Sequence, residues 1–267
     1  KLVLAWCRPQ LGWSVTRCGS CALLWHYRRL AGTGAEPWFV QRVPVCASTE
    51  PLLSRWLDGV PGVDRRFALL AGHQTRSTGQ RGRIWLSPAG GLWISTAMPA
   101  YRPAAVTPEL LGLAVAVVMA QRLEPLGLPV RIKWPNDLMV EGRKLAGLLP
   151  RLVHRGSTVR LVRIGFGLNV ANAVPPEGTS LRRLLGSGHR SVDYWGAQLL
   201  HGLDQCLTHG SGLGWCIPEA ERRLWDEQVR DPFGPRVWQI EGLASDGALR
   251  LRHGTHTCRW TRWADSS

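Results

Sequence analysis

The stretch KWPNDLMVEGRKLAGLL, residues 133 to 149, holds Lys133 and Lys144, two of only three lysines in a chain whose remaining 30 basic residues are arginine. It also holds Asn136, one of three asparagines. A lysine ammonium is a compact charge on a flexible stem. It reaches a phosphate or carboxylate oxygen at depth, where a planar guanidinium is not an equal substitute. Pro135, Asn136 and Asp137 favour a tight turn, so Lys133 precedes the turn and Lys144 lies on the returning strand. The plainer alternative is a pair of surface lysines flanking a hairpin.

Two other stretches could hold an anion or a ring. HQTRSTGQRGRIW, residues 73 to 85, gathers Gly79 and Gly82 with Arg76, Arg81 and Arg83 after an apolar run. Glycines let consecutive N–H groups face an anion and arginines add charge in a planar fork, so the segment reads as an anion cradle or as a solvated basic loop. It contains neither GxxxxGK[ST] nor GxGxxG. IGFGLNV, residues 164 to 170, places Gly165 and Gly167 on one side of a strand with Asn169 beyond, open to a close approach by backbone or ligand.

The elements that must position these residues follow from period and punctuation. WFVQRVPV alternates as a strand. Ser48 or Thr49 caps a helix with Glu50 and Pro51 in its first turn. FALLAGHQ reads as a buried strand, and IWLSPAGGLWISTAMP, 84 to 99, as two strands broken by a Pro and Gly turn. A helix opens at Thr107 and runs, apolar nearly all round, to Leu123, which makes it central. VRIKW, DLMV, RKLAGLLPRLV and TVRLVRIGFGLNV form an antiparallel meander. Helices are expected from Ser191 to about Leu207 and from Pro218 to about Val229. RVWQIEGLASDGALRLRHGTHTCRWTRW then alternates around a turn at Asp246 and Gly247. Hairpin-linked strands with helices between and after them make the class α+β.

The chain has 267 residues, a formal net charge of +14 and 14 tryptophans, which suits one main folded domain with a small module appended. The charge predicts attraction to anions without choosing among nucleotides, nucleic acid and acidic proteins. The Arg to Lys imbalance is equally what a codon bias would produce. Seven unevenly spaced cysteines suggest a reducing compartment, and Cys18 and Cys21 form a lone CxxC, too little for a zinc site. LLGLAVAVVMA, 110 to 120, is too short to span a bilayer. No secretory leader is evident, so a soluble cytoplasmic protein is expected.

Taken in order, CASTE, HQTRSTGQRGRIWLSPAGGLWIS, KWPNDLMVEGRKLAGLL and IGFGLNV resemble the biotin protein ligases over about residues 37 to 230. The resemblance implies a class II synthetase-like catalytic domain at 37–230 with a mixed, mainly antiparallel sheet, and a small SH3-like β module at 231–267. Residues 1–36 remain an extension of unassigned role, too short for a winged helix, which implies the monofunctional type without an N-terminal DNA-binding domain. It implies activation of biotin by ATP with Mg²⁺ to biotinyl-AMP, then transfer to a lysine of the biotin carboxyl carrier protein of acetyl-CoA carboxylase. A homodimer is compatible; a nucleic-acid or membrane partner is not expected.

By match, Lys144 is the lysine between biotin carboxylate and α-phosphate, and Arg81 and Arg83 are basic residues of the closing loop. Ser48, Thr49, Gln74, Ser77, Thr78, Gly79 and Gly147 fall at biotin-binding positions. Trp85 resembles the tryptophan that packs on adenine, and Lys133, Asn136, Asp137 and Asn169 fall on the nucleotide side, with Mg²⁺ near Asp137. Two departures stand out: Glu50 replaces the asparagine of a Ser-Thr-Asn pattern, and STGQRGR replaces GRGRRGR, so that Gln80 removes a charge that Arg76 would have to supply. The rival of related fold is a lipoate ligase or octanoyl transferase, whose RRxGGGxVxHD-like loop this chain lacks. The rival of another class is a basic, Trp-rich nucleic-acid binder, for which the motif signatures are missing.

Overall fold

In the computed structural model, which describes residues 21–32, 34–59, 64–100, 107–208, 212–231 and 234–261, the first described elements are α1 (Cys21–Ala31), β1 (Trp38–Cys46), α2 (Thr49–Asp58), β2 (Arg66–Gln74) and β3 (Leu92–Pro99). There follow α3 (Pro108–Leu123), β4 (Arg131–Lys133), β5 (Asp137–Val140), β6 (Arg143–Arg155) and β7 (Thr158–Leu168). The last part contains α4 (Leu181–Leu185), α5 (Val192–Thr208), α6 (Cys216–Glu221) and β8 (Gln228–Arg230), β9 (Val237–Leu243), β10 (Leu249–His253) and β11 (His256–Trp260). Cys7, Cys18 and the rest of residues 1–20 lie outside the described residues.

A seven-stranded sheet runs in the order β1-β2-β3-β7-β6-β5-β4, parallel only between β1 and β2. The meander β4 to β7 pairs as its hairpin turns predicted. The continuous apolar run of β2 is explained by cover on both faces. Phe67 and Leu69 pack with Leu53 and Leu57 of α2, while Ala68 and Leu70 join the larger core with α1, α3 and α5. Alternate side chains leave a strand on opposite faces, so both sets must be apolar. The helix α3 is buried nearly throughout, as its unbroken hydrophobicity implied, and is capped by Thr107 Oγ1 accepting from Leu110 N. Helix α1 docks on α5 through Asp204, whose carboxylate accepts from Tyr27 Oη at 2.5 Å, Trp38 Nε1 at 3.1 Å and Arg66 Nη1 at 2.8 Å.

The C-terminal strands form a separate four-stranded antiparallel sheet, β11-β10-β9-β8. Its β9–β10 turn wedges against the main sheet: Thr107 Oγ1 donates to Asp246 O and Trp134 Nε1 donates to Gly247 O. Gly247 has φ +87°, and a Cβ there would lie 3.0 Å from Leu110 N, so both conformation and space require glycine.

Three expectations need correction. Residues 84–87 are not a strand; Ile84 and Ser87 make only isolated bridges to Thr78 and Gln74, because the loop folds back on itself. The helix expected over 218–229 stops at Glu221, since residues 223–225 add alongside β4 (Ile132 N to Arg223 O, Trp225 N to Ile132 O) and 228–230 become β8. The C-terminal sheet therefore begins before residue 231. Ser48 occupies the N-cap of α2 but makes no side-chain cap bond.

Burial pushes the Cys46 thiol up to about 11 and the Cys206 and Cys216 thiols up to about 12, while Cys21 is exposed. Thiolate is the reactive form, so in the native protein at mildly alkaline pH iodoacetamide should label Cys21 at least about tenfold faster than these three. Peptide mapping by mass spectrometry reads the order, and equal labelling of Cys206 would contradict the packing around α5.

Candidate active site

A cavity of about 560 Å³ opens on the face of the main sheet that also carries α2. Its floor is set by strand register. Asp137 pairs with Gly147 and Gly147 with Gly167, and the row ends at Trp93; the next row is Leu149, Gly165 and Ser95. The spacing of Lys144 from Gly147 is odd, which on a regular strand would put the two on opposite faces. A bulge resolves this: Leu138 pairs with Ala146 but Met139 with Lys144, so Leu145 is the extra residue and Lys144 returns to the cavity face. The lysine backbone is fixed on both sides, its N–H donating to Glu177 O and its carbonyl accepting from Thr179 N.

There Lys144 Nζ lies 2.6 Å from Asp137 Oδ2 and 4.7 Å from the centre of the Trp85 ring, a cation over an aromatic face. Burial pushes the Asp137 carboxyl up, opposed by the charges of Lys144, Lys133 and Arg83. Its second oxygen, Oδ1, is buried without a hydrogen-bond partner. Asn136 locks the turn: its Nδ2 donates to Leu148 O at 2.6 Å and its carbonyl accepts from Leu148 N. The Trp85 indole rests on the glycine floor, since a Cβ on Gly167 would come 2.9 Å from it and one on Gly147 3.0 Å.

The other end of the cavity is polar. Gln74 Oε1 accepts from Thr49 N at 2.7 Å, Gln74 Nε2 donates to Ser87 Oγ, and Thr49 Oγ1 lies 2.7 Å from Ser95 Oγ. Ser48 and Glu50, from the start of α2, complete this end. Over it lies the 76–85 loop, in which Ser77 Oγ donates to Trp85 O and Gly79 N donates to Arg83 O. Arg81 stands at φ 57° in a short 3-10 turn. The cavity thus joins a polar, hydrogen-bonding end to a lysine and a cationic rim, an arrangement suited to a polar ring whose carboxylate meets a phosphate.

Residues 58–169 match the profile of the biotin/lipoate A/B protein ligase family. The chain is 39% identical over 132 residues to the bifunctional ligase/repressor BirA of Escherichia coli K12, a match covering 48% of this chain and 40% of that one. It is 30% identical over 158 residues to the biotin--[acetyl-CoA-carboxylase] ligase of Paracoccus denitrificans, covering 55% and 64%. The chain therefore spans less than two thirds of these curated relatives. In fold it is similar to a biotin protein ligase from Aquifex aeolicus solved with biotin and ATP, with TM-score 0.63, 23% identity, and coverage of 82% of this chain and 94% of that one.

The cavity brings together Ser48, Thr49, Gln74, Ser77, Thr78, Gly79, Arg81, Arg83, Trp85, Lys133, Asn136, Asp137, Lys144 and Gly147, all expected from the sequence. Asn169 is not at its surface. It is buried behind the floor, where its Nδ2 donates to Lys144 O and its Oδ1 accepts from Asn172 Nδ2, so it braces the lysine strand. Arg76 lines an adjoining groove with His73 and Pro175 instead of the cavity, and so does not replace the charge missing at Gln80. The sequence reading missed Ser95 and Arg163. The signal for both was a polar residue inside an otherwise apolar strand, ISTAM and LVRIG.

Gly167→Ala should cost about 1–3 kcal/mol in urea unfolding, because the added methyl meets the indole of Trp85. The double variant Gly167→Ala/Trp85→Ala should recover most of the difference that Gly167→Ala makes; additive losses would show that the indole does not rest on this floor.

Proposed function

We propose that this chain is an ATP-dependent biotin protein ligase. Lys144 carries the reading: its ammonium sits between the polar end at Thr49 and Gln74 and the Asn136–Asp137 turn, where two anions would have to meet. The motif resemblance and the biotin ligase names of the relatives point the same way. The polar lining at Ser48, Thr49, Gln74 and Ser95 suits a polar ring better than a lipoyl or octanoyl chain, which disfavours the lipoate reading.

In the first step, a carboxylate oxygen of biotin forms a bond to the α-phosphorus of ATP, and the bond to the bridging oxygen breaks to release pyrophosphate. Lys144 neutralises both the attacking carboxylate and the α-phosphate oxygens, so that two like charges can approach. Arg83 and Arg81 add positive charge from the loop, and Trp85 offers an aromatic face to the adenine. In the second step, a deprotonated lysine amine of the carrier protein attacks the acyl carbon and AMP leaves. Asp137 Oδ1, a buried carboxylate oxygen without a partner, suits a cation beside the phosphates, although the described residues hold no cluster of three or more metal-binding side chains. Mg²⁺ held there, mostly by phosphate and water, would neutralise phosphate charge. The acceptor is a carrier domain of acetyl-CoA carboxylase type, and the unevenly spaced cysteines favour the cytoplasm. No described helix is long and apolar enough to cross a membrane.

Exchange of labelled pyrophosphate into ATP should require biotin, should not proceed with lipoate or octanoate, and should fall at least about 100-fold in Lys144→Ala. Exchange driven equally by lipoate would overturn the substrate, and an unchanged rate in Lys144→Ala the role of the lysine. Because Thr78 and Gln80 leave the loop two charges short of the GRGRRGR pattern, Gln80→Arg, which restores one of them, should retain biotinyl-AMP longer than the wild type in a filter-binding chase; equal retention would remove the loop charge from the account.

A further inference from the structure

Ser77 stands where the GRGRRGR pattern has its first glycine, and its hydroxyl does what a glycine could not. Ser77 Oγ donates to Trp85 O at 2.5 Å and lies 2.7 Å from Ser87 Oγ, which accepts from Gln74 Nε2 at 3.1 Å. The direction of each proton follows. Thr49 N donates to Gln74 Oε1, which turns the amide nitrogen of Gln74 toward Ser87. The single Ser77 proton is committed to Trp85 O, so the proton between the two hydroxyls belongs to Ser87. One directed chain therefore runs from Thr49 N through Gln74, Ser87 and Ser77 to the Trp85 carbonyl. Thr49, Gln74, Ser77 and Ser87 are all buried. Hydrogen bonds in such a series polarise one another, and burial limits the replacement of a lost partner by water.

This chain closes the neck of the loop over the cavity. The strand entering the loop is fixed by Thr75 N to Cys46 O and Arg76 N to Ala47 O, and Trp85 N donates back to Ser77 O. Ser77 thus holds Trp85 by backbone and hydroxyl together, which sets the indole on the bed of Gly147 and Gly167 with its ring centre 4.7 Å from Lys144 Nζ. Every bond in the closure joins two protein groups. A glycine at 77 would take the hydroxyl donor from Trp85 O and the acceptor from Ser87, and would free the backbone, so that ordering the loop would fall to a ligand.

We infer that Ser77 is a positioning residue whose hydroxyl holds the 77–85 loop closed, so that the Trp85 face of the nucleotide site is formed without biotin and the two substrates bind independently. The inference rests on the biotin ligase reading. A loop ordered by the first ligand favours the second, because the ordering cost is met once; a loop ordered by its own bonds removes that source of cooperativity.

The test is calorimetric binding of α,β-methylene-ATP, which cannot be cleaved at the α-phosphate, with and without saturating biotinol. Biotinol keeps the biotin ring and lacks the carboxylate whose charge would oppose the phosphates. In the wild type, biotinol should tighten the nucleotide analogue by no more than about threefold. In Ser77→Ala, which removes the hydroxyl and keeps the backbone restriction of a Cβ, it should tighten it at least about tenfold. Ser87→Ala cuts the same chain from outside the loop and should raise the coupling in the same direction. Urea unfolding of each variant checks that it is folded, and a general loss of stability weakens binding with and without biotinol alike, leaving the ratio in place. Tenfold coupling in the wild type, or coupling in Ser77→Ala no larger than in the wild type, overturns the inference. Unchanged coupling in Ser87→Ala overturns the directed chain as its cause. A wild type that takes up neither biotin nor the nucleotide brings down the functional reading and this inference with it, an outcome distinct from binding both with strong coupling.

Discussion

The alignment of Asp137, Gly147 and Gly167 across three strands is the constraint on which the site depends. Two glycines side by side leave a shallow bed on an otherwise crowded sheet, and the Trp85 indole lies in it. Lys144 then has an aromatic face on one side and the Asp137 carboxylate on the other. A shift of one residue between β5 and β6 would turn the carboxylate or the lysine away and put side chains under the indole. The bonds between Asn136 and Leu148 hold that register at the turn.

The arginine-rich composition acquires a different meaning in the folded chain. Arg66 with Asp204, Arg163 with Glu50, and Arg223 with Glu124 are ties between segments far apart in sequence, each arginine using the planar fork to reach more than one acceptor. These three arginines thus serve as internal ties. The formal excess of +14 is what remains after all acidic residues are counted, and by itself it does not choose among anionic partners. Lys133 and Lys144, by contrast, line the cavity as extended, flexible cations.

The C-terminal sheet is held to the rest by its β9–β10 turn, which inserts Gly247 against the start of α3 and accepts a hydrogen bond from Trp134, next to the Pro135–Asn136 turn. The same short hairpin therefore supports the floor of the cavity and receives the appended module. Residues 223–225, lying along β4, add a second attachment beside Lys133.

The sequence by itself determined the meander, the buried α3 and most of the cavity lining, because local period, turn residues and a dense motif specify these without distant partners. It could not determine the face on which Lys144 lies, since the three-residue spacing to Gly147 is resolved only by a bulge against β5. Nor could it show that Asn169 turns inward to brace a strand, or that Arg76 falls outside the cavity, because each depends on how the loop and strands close in space. The end of α6 was misread for the same reason: residues 223–225 have helical neighbours in sequence, but hydrogen bonds to β4 take them into the sheet. Glu50 was legible as a departure from a pattern. Its partner, 113 residues along the chain, was not, because only the fold sets β7 beside the first turn of α2 and so gives a buried carboxylate the charge it needs.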